Sequence, residues 1–396
     1  MKTPLSIFSV FLLMFSCSPS FGQKGRDDSL RNDQKDVIDW LLHVTHWDKA
    51  KDNRKNNKIH FSLLPISSEP SSGKQLLVTS LSAAFYLGSP QKTNLSNIYF
   101  TPYTNFTNRT GFLIAPSLWT NGNKWNLTGD WRISKNIQDT YGLGGNTTSR
   151  EPDQINYNYV RVYLNANHLI AGSFYLGLGY NLDYYYHVSD QWNHPYPGYF
   201  QQYGIGTSAT TTSQGLSFNI IWDSRANAIN AEQGFYSTLV YRINPLNNDY
   251  HWTSLYFDNR KYFPLSHSRH EVLALRAFYW GTYGNVPYLD LTGTALDPSY
   301  RSGRGYLTGR YIGKQELYAE SEYRFDISRN GLWGAVVFSN FQSYTEPSSG
   351  RFEYILPAAG AGLRLKFNKR SDSNLTFDLA VGRHSFNWYI NLGEVF

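Results

Sequence analysis

The sequence predicts an all-β fold: a transmembrane antiparallel β-barrel of about 16 strands, preceded by a short helical segment. Three observations predict it. Of the 396 residues, 17% are aromatic and only 17% charged, against roughly 25% charge in an average soluble domain. Beyond the first twenty or so positions no apolar run reaches the ~18 residues of a spanning helix, although 41% of the chain is hydrophobic. From about Gln75 to Phe396 the hydrophobic pattern has a period of two. Together these exclude a helical membrane protein and a disordered chain. They leave a sheet with one face in lipid and the other in water.

The elements follow in chain order. Met1-Lys2, the apolar stretch Pro4–Cys17 and the small residues Ser18, Ser20 and Gly22 read as a secretory signal peptide over 1–22. A lipoprotein site at Cys17 is the alternative, with Phe15 poorly suited to it. Cys17 is the one cysteine, so cleavage after Gly22 leaves no thiol chemistry. Residues 23–74 form a short periplasmic segment. Within it Asp36–Trp47 places Val37, Trp40, Leu41 and Val44 on one helix face. Lys49, Lys51, Arg54, Lys55 and Lys58 follow as a basic run. This helix suits a membrane surface, a pore mouth or a protein partner, and equally a solvated terminal helix.

The barrel is expected over 75–396. Its strands fall at 75–87, 96–105, 110–119, 124–134, 136–146, 156–168, 172–187, 213–223, 233–245, 250–262, 268–282, 311–327, 330–342, 355–368, 373–383 and 386–396. Alternation is clearest where Leu317, Ala319, Ser321 and Tyr323 interleave with Glu316, Glu320, Glu322 and Arg324. Charges in such number on one face do not belong in a dry core, where each costs several kcal/mol unpaired. A wet lumen with an apolar outer face accommodates them. The longest gaps, 188–212, 283–310 and 343–354, all follow odd-numbered strands. They therefore open on one side, extracellular if both termini are periplasmic. At the C-terminus Phe386, Trp388, Ile390, Leu392 and Phe396 share one face.

Several motifs carry a family likeness. They are Ser302-Gly303-Arg304-Gly305-Tyr306 before strand twelve, Glu322-Tyr323-Arg324-Phe325 within it, and Asp223-Ser224-Arg225-Ala226-Asn227 with Gly234. Gly360–Arg364, Asp378 and the ending Asn391–Phe396 add to them. In order and spacing they resemble the BamA/TamA (bacterial surface antigen) superfamily of outer-membrane proteins, over about 60–396. The resemblance implies that the loop carrying Gly303, Arg304, Gly305 and Tyr306 folds into the lumen. There Arg304 would meet the inner-wall residues Glu316, Glu320, Glu322 and Asn340, the last standing where the family has an acid. Arginine suits that role because its planar fork holds carboxylates bidentately and keeps its charge. The resemblance also implies a turn built on Asp223, Arg225 and Asn227, and a C-terminal assembly signal ending in Phe396. Between Gln23 and Gly73 there are too few residues for even one of the family's periplasmic POTRA domains, so the chain resembles a POTRA-less branch.

No catalytic motif is present: G-x-S-x-G, H-E-x-x-H and phosphate-binding glycine loops are all missing. His43 and His46 lack a third ligand nearby, and His267 and His270 are expected at an exposed turn. No enzyme activity, cofactor or metal is expected. The net charge of +6 is scattered along the chain, which argues against nucleic acid. The expected partners are outer-membrane lipids and periplasmic or outer-membrane proteins met through the N-terminal segment. The expected role is assisting insertion or translocation of proteins or lipids at the outer membrane. A passive pore or structural subunit is the alternative.

Overall fold

The computed structural model describes residues 34–37, 59–71, 74–148, 151–225, 227–245, 250–266, 270–369 and 372–396. The expected signal peptide, nearly all of the helix Asp36–Trp47, the basic run and His267 lie outside these. The chain divides into a unit Met1–Gln34 and a unit Lys35–Phe396. The second contains the sheet.

Sixteen strands form one antiparallel sheet in sequence order. They are β1 (Ile59–Ser71), β2 (Lys74–Phe85), β3 (Ser96–Thr104), β4 (Thr110–Trp119), β5 (Trp125–Thr140), β6 (Asp153–Ala171), β7 (Phe174–Asp190) and β8 (Thr210–Asp223). Then come β9 (Gly234–Asn244), β10 (Trp252–Pro264), β11 (Glu271–Gly284), β12 (Gln315–Asp326), β13 (Trp333–Tyr344), β14 (Leu356–Asn368), β15 (Ser373–Gly382) and β16 (Ser385–Leu392). β1 returns to β16, so the sheet curls into a barrel. The seam is thin. Among the described residues its paired position is Ser68 opposite Ile390, whereas β1 and β2 are laddered from Ile59/Phe85 to Ser71/Lys74.

The strand count agrees with expectation, but two strands differ and their errors cancel. β1 occupies residues assigned to the periplasmic segment, so the barrel begins at Ile59 and not at Gln75. Pro65 and Pro70 hide it in the sequence, since proline withholds a ladder donor and is confined to edges and irregularities. The β1–β2 register indeed shifts between Leu64 and Ser67, around Pro65. Conversely, the expected strands 124–134 and 136–146 are the single strand β5, paired with β6 without interruption from Trp125/His168 to Thr140/Asp153. Because both differences precede the first long loop, strand parity is preserved. The connections 141–152, 191–209, 285–314 and 345–355 all lie at one end, here the long-loop end.

Alternation sorts the faces. Exposed Leu127, Trp131, Leu178, Phe218, Val337 and Phe377 point outward. Asp183, Asp258, Arg276, Glu320, Glu322 and Asp378 are buried within. An apolar outside around a charged inside suits a lipid-facing barrel. The long-loop end is capped. A short helix, α1 (Tyr199–Tyr203), and a 3-10 turn at Tyr288–Asp290 pack Phe200, Val286, Tyr288, Leu291 and Ile312 against Ile155, Tyr185 and Trp252 of the wall. Loops join above them: Gly144 N–H donates to Ile312 O at 2.8 Å, and Gly145 N–H to Glu346 Oε1 at 2.6 Å.

Candidate lumen site

Loop 285–314 does not stay outside; it runs down into the barrel. Its turn is organised by Asp297. That carboxylate accepts from the backbone N–H of Ser299 and Ser302, each at 3.2 Å, and from Arg276 of β11 at 2.8 Å. Burial opposes its charge, but Arg276 and the two serine hydroxyls hold its pKa below the usual carboxylate value. From this turn the chain reaches both walls. Tyr300 lies under the Arg132 guanidinium of β5, 3.7 Å from its ring centroid. Arg304 points the other way.

Arg304 is 3% exposed and ion-paired with three carboxylates. Its Nε donates to Glu320 at 3.0 Å and its Nη1 to Asp378 at 2.8 Å, while Nη2 is shared by Glu320 and Glu322. The guanidinium is stacked 3.5 Å from the Phe338 ring centroid. Burial works against its charge, yet Glu320, Glu322 and Asp378 together keep it protonated far above the ordinary arginine range. Asn340 donates to the Arg304 carbonyl at 2.9 Å, fixing the backbone and not the side chain. Tyr389 of β16 accepts from Gly305 N–H at 2.8 Å. Gly305 has φ 106°, and a Cβ there would lie 2.7 Å from the Ala358 Cβ, so only glycine fits. Tyr306 donates its hydroxyl to Pro357 O at 2.6 Å and accepts from Arg383 N–H at 3.0 Å.

Glu320, Glu322 and Asn340 thus converge on the loop. Glu316 does not: it is fully buried but accepts from Tyr344 at 2.9 Å, and it makes no bond to Arg304. Asp378 of β15 supplies the third carboxylate. The sequence pattern puts it on the lumen face without marking it as a partner. The carboxylates are themselves held. Glu322 accepts from Arg324 Nε at 2.7 Å, Glu320 from Tyr318 at 2.6 Å, and Arg364 pairs with both Asp378 and Glu394.

Asp223, Arg225 and Asn227 close the β8–β9 turn separately. Arg225 clamps Asp223 with Nε and Nη2, both at 2.9 Å, and Asn227 accepts from Ile229 N–H at 2.8 Å. His270 is buried, contrary to the exposed turn expected, and lies between Glu232 and Asp326. Phe396 also departs from expectation. It does not continue the outward face of β16, because the chain turns inward at Gly393, whose φ is 87°. Phe396 is buried with Ala231, Tyr262, Val272, Ala274 and Val395. Arg301, unmarked in the sequence, holds this turned-in segment, donating to Glu394 O at 2.6 Å and Leu392 O at 3.3 Å. Among the described residues no three His, Cys, Asp or Glu side chains converge as a metal site would require.

No protein-family model matches the chain, and no curated protein does. Solved structures do. BamA from Haemophilus ducreyi lacking POTRA domains 1-3 is similar at 14% identity and a TM-score of 0.51, over 85% of this chain and 70% of that one. CdiB from Acinetobacter baumannii is similar at 12% identity and a TM-score of 0.52, over 85% of this chain and 59% of that one. The chain therefore has a β-barrel fold like that of these two proteins.

Proposed function

We propose that this barrel sits in the outer membrane with its long-loop end outward and assists the insertion or translocation of proteins or lipids there. The observation that carries the reading is a contrast within one sheet. The lumen is filled by a loop pinned through Arg304 to β12 and β15, while the β1–β16 seam is paired at Ser68/Ile390. A route through the lumen would break buried ion pairs, costing about 3–5 kcal/mol for each stranded charge. A route beside it has only a weakly laddered seam to part. Unpaired strand edges are expensive in hydrocarbon, so the seam is where an incoming strand gains most. The outer apolar band contacts lipid, and the segment 23–58 recruits protein partners.

Reconstitution tests this. Liposomes containing the protein should speed folding of an added unfolded β-barrel several-fold over empty liposomes, read by heat-modifiability on gels. In planar bilayers the same protein should give small fluctuating currents. A large steady current with no acceleration of folding would replace the assembly reading with a passive pore.

A further inference from the structure

The cap at the long-loop end carries a group of rings that its own core does not use. In loop 191–209 Trp192 stands among three others, its ring centroid 4.6 Å from His194, 5.8 Å from Tyr196 and 5.8 Å from Tyr199. His194 and Tyr196 are stacked, 5.5 Å apart and 19° from parallel. The cap core is filled instead by Phe200, with Tyr203 packed against it. Residues 193–197 are exposed, Tyr196 by 52%. Rings left in water forgo the burial that ordinarily stabilises them.

The loop is built to hold them there. Trp192 Nε1 donates to Tyr196 O at 2.8 Å, closing a turn that Pro195 and Pro197 stiffen. Gln202 Nε2 donates to Pro197 O at 2.6 Å and ties this turn to α1, which Phe200 seats in the cap. Gly198 lets the turn lie against the wall, since a Cβ there would be 2.5 Å from Asp153 Oδ2. Rings fixed before a ligand arrives lose little freedom on binding it. Composition then says which ligand. Between Asp190 and Asp223 there is no Lys, Arg, Asp or Glu, whereas the long loops 141–152, 285–314 and 345–355 each carry both acid and base. The exposed polar side chains that flank the rings in sequence are the amides Gln191, Asn193, Gln201 and Gln202.

We propose that Trp192, His194, Tyr196 and Tyr199 form a platform that binds a neutral saccharide at the long-loop end. One face of a pyranose ring presents C–H groups of partial positive charge, which suit the negative face of an aromatic ring. Its rim presents hydroxyls, which donate and accept as the amide side chains do. A phosphate or carboxylate ligand would find no cation in this loop, and its lost hydration would go uncompensated. A wholly apolar partner would bury the amides unpaired. The chemistry recognised is that of an uncharged hexose chain, whether carried on an outer-leaflet glycolipid or free as polysaccharide. The platform uses neither the lumen loop nor the seam, so it stands apart from the assembly reading.

The test is native electrophoresis of the full chain, in a detergent without a sugar headgroup, through gels cast with dextran, galactomannan or a neutral O-polysaccharide freed of its lipid. At least one polysaccharide should retard the protein. Retardation by O-polysaccharide alone assigns the ligand to the glycolipid, and retardation by dextran or galactomannan assigns it to free polysaccharide. Trp192→Ala and Tyr196→Ala should each weaken retardation several-fold, whereas Tyr196→Phe, which keeps the ring, should retain most of it. Heat-modifiability verifies that each variant is folded. No retardation in any gel, or retardation unchanged when Trp192→Ala and Tyr196→Ala are combined, would overturn the proposal. On whole cells, a photoreactive amino acid in place of Asn193 should give adducts that stain for carbohydrate. Adducts of protein alone would replace the saccharide with a protein partner and sink the proposal.

Discussion

At the scale of single residues the lumen is an accounting of charge. Arg304→Ala strands Glu320, Glu322 and Asp378 in a buried site, and should lower stability by about 3–5 kcal/mol. Urea titration of the refolded barrel in detergent measures it. Arg304→Lys should recover only part, because a point ammonium lacks the fork that engages three carboxylates. Asp290, in the cap, makes the opposite case. Ser213 donates to it at 2.5 Å and Tyr185 at 3.1 Å. Burial and the nearby Asp183 push it up to about 7, against the pull of Arg242. The folded state therefore keeps a proton that the unfolded chain releases at the usual carboxylate value. Its contribution is complete below that value and is lost as pH rises through about 7. Asp290→Asn should flatten the fall in stability between about pH 4 and pH 7. Glu394 runs the other way. Burial opposes its charge, but Arg364 and Arg324 hold it at about 2. Its contribution is present above the ordinary glutamate value and disappears as pH drops through about 2. The Arg304 partnership is partly legible in the sequence, because alternation puts its glutamates on the lumen face. Alternation says nothing of depth, which strand stagger sets. That is why Glu316 and Asp378 exchange places relative to expectation.

At the scale of elements, the pattern is readable wherever outer and inner faces differ in polarity. It fails where backbone chemistry overrides it. β1 is hidden by Pro65 and Pro70, which an edge strand tolerates. β5 is divided at Lys135 in the sequence reading, yet Lys135 and Asn136 pair in register with Asn158 and Tyr157. Phe396 leaves its strand because Gly393 permits a turn that side-chain period cannot reveal. The cap is equally invisible, being made by loops without periodicity. Its keystone is α1, whose Phe200 is fully buried and whose Phe200 N–H donates to Asp153 at 2.9 Å. Phe200→Ala should cost the cap about 3–5 kcal/mol. In planar bilayers it should lengthen brief current events into sustained ones, with the strands still heat-modifiable.

At the scale of the whole molecule, the strands form one shell and the loops a second structure threaded through it. Removing residues 286–311 should leave the shell folded and produce a large steady conductance, measured against the intact chain. No increase would mean that the lumen is occluded by something other than this loop. Apart from the β1–β16 seam, the shell's ladders join strands adjacent in sequence, so they are local contacts. The plug depends on distant ones: Arg304 and Asp378 are 74 residues apart, Arg301 and Glu394 93, and Gly145 and Glu346 201. Closing long intervals is slow because chain entropy is lost before the contact returns anything. Refolding should therefore be biphasic, strand formation first and protease resistance of the loop later. A chain halted just before Asp378 would have made fourteen of its strands and still lack one of the three carboxylates that seat Arg304. The seat of Arg304 is thus complete only once β15 has been made.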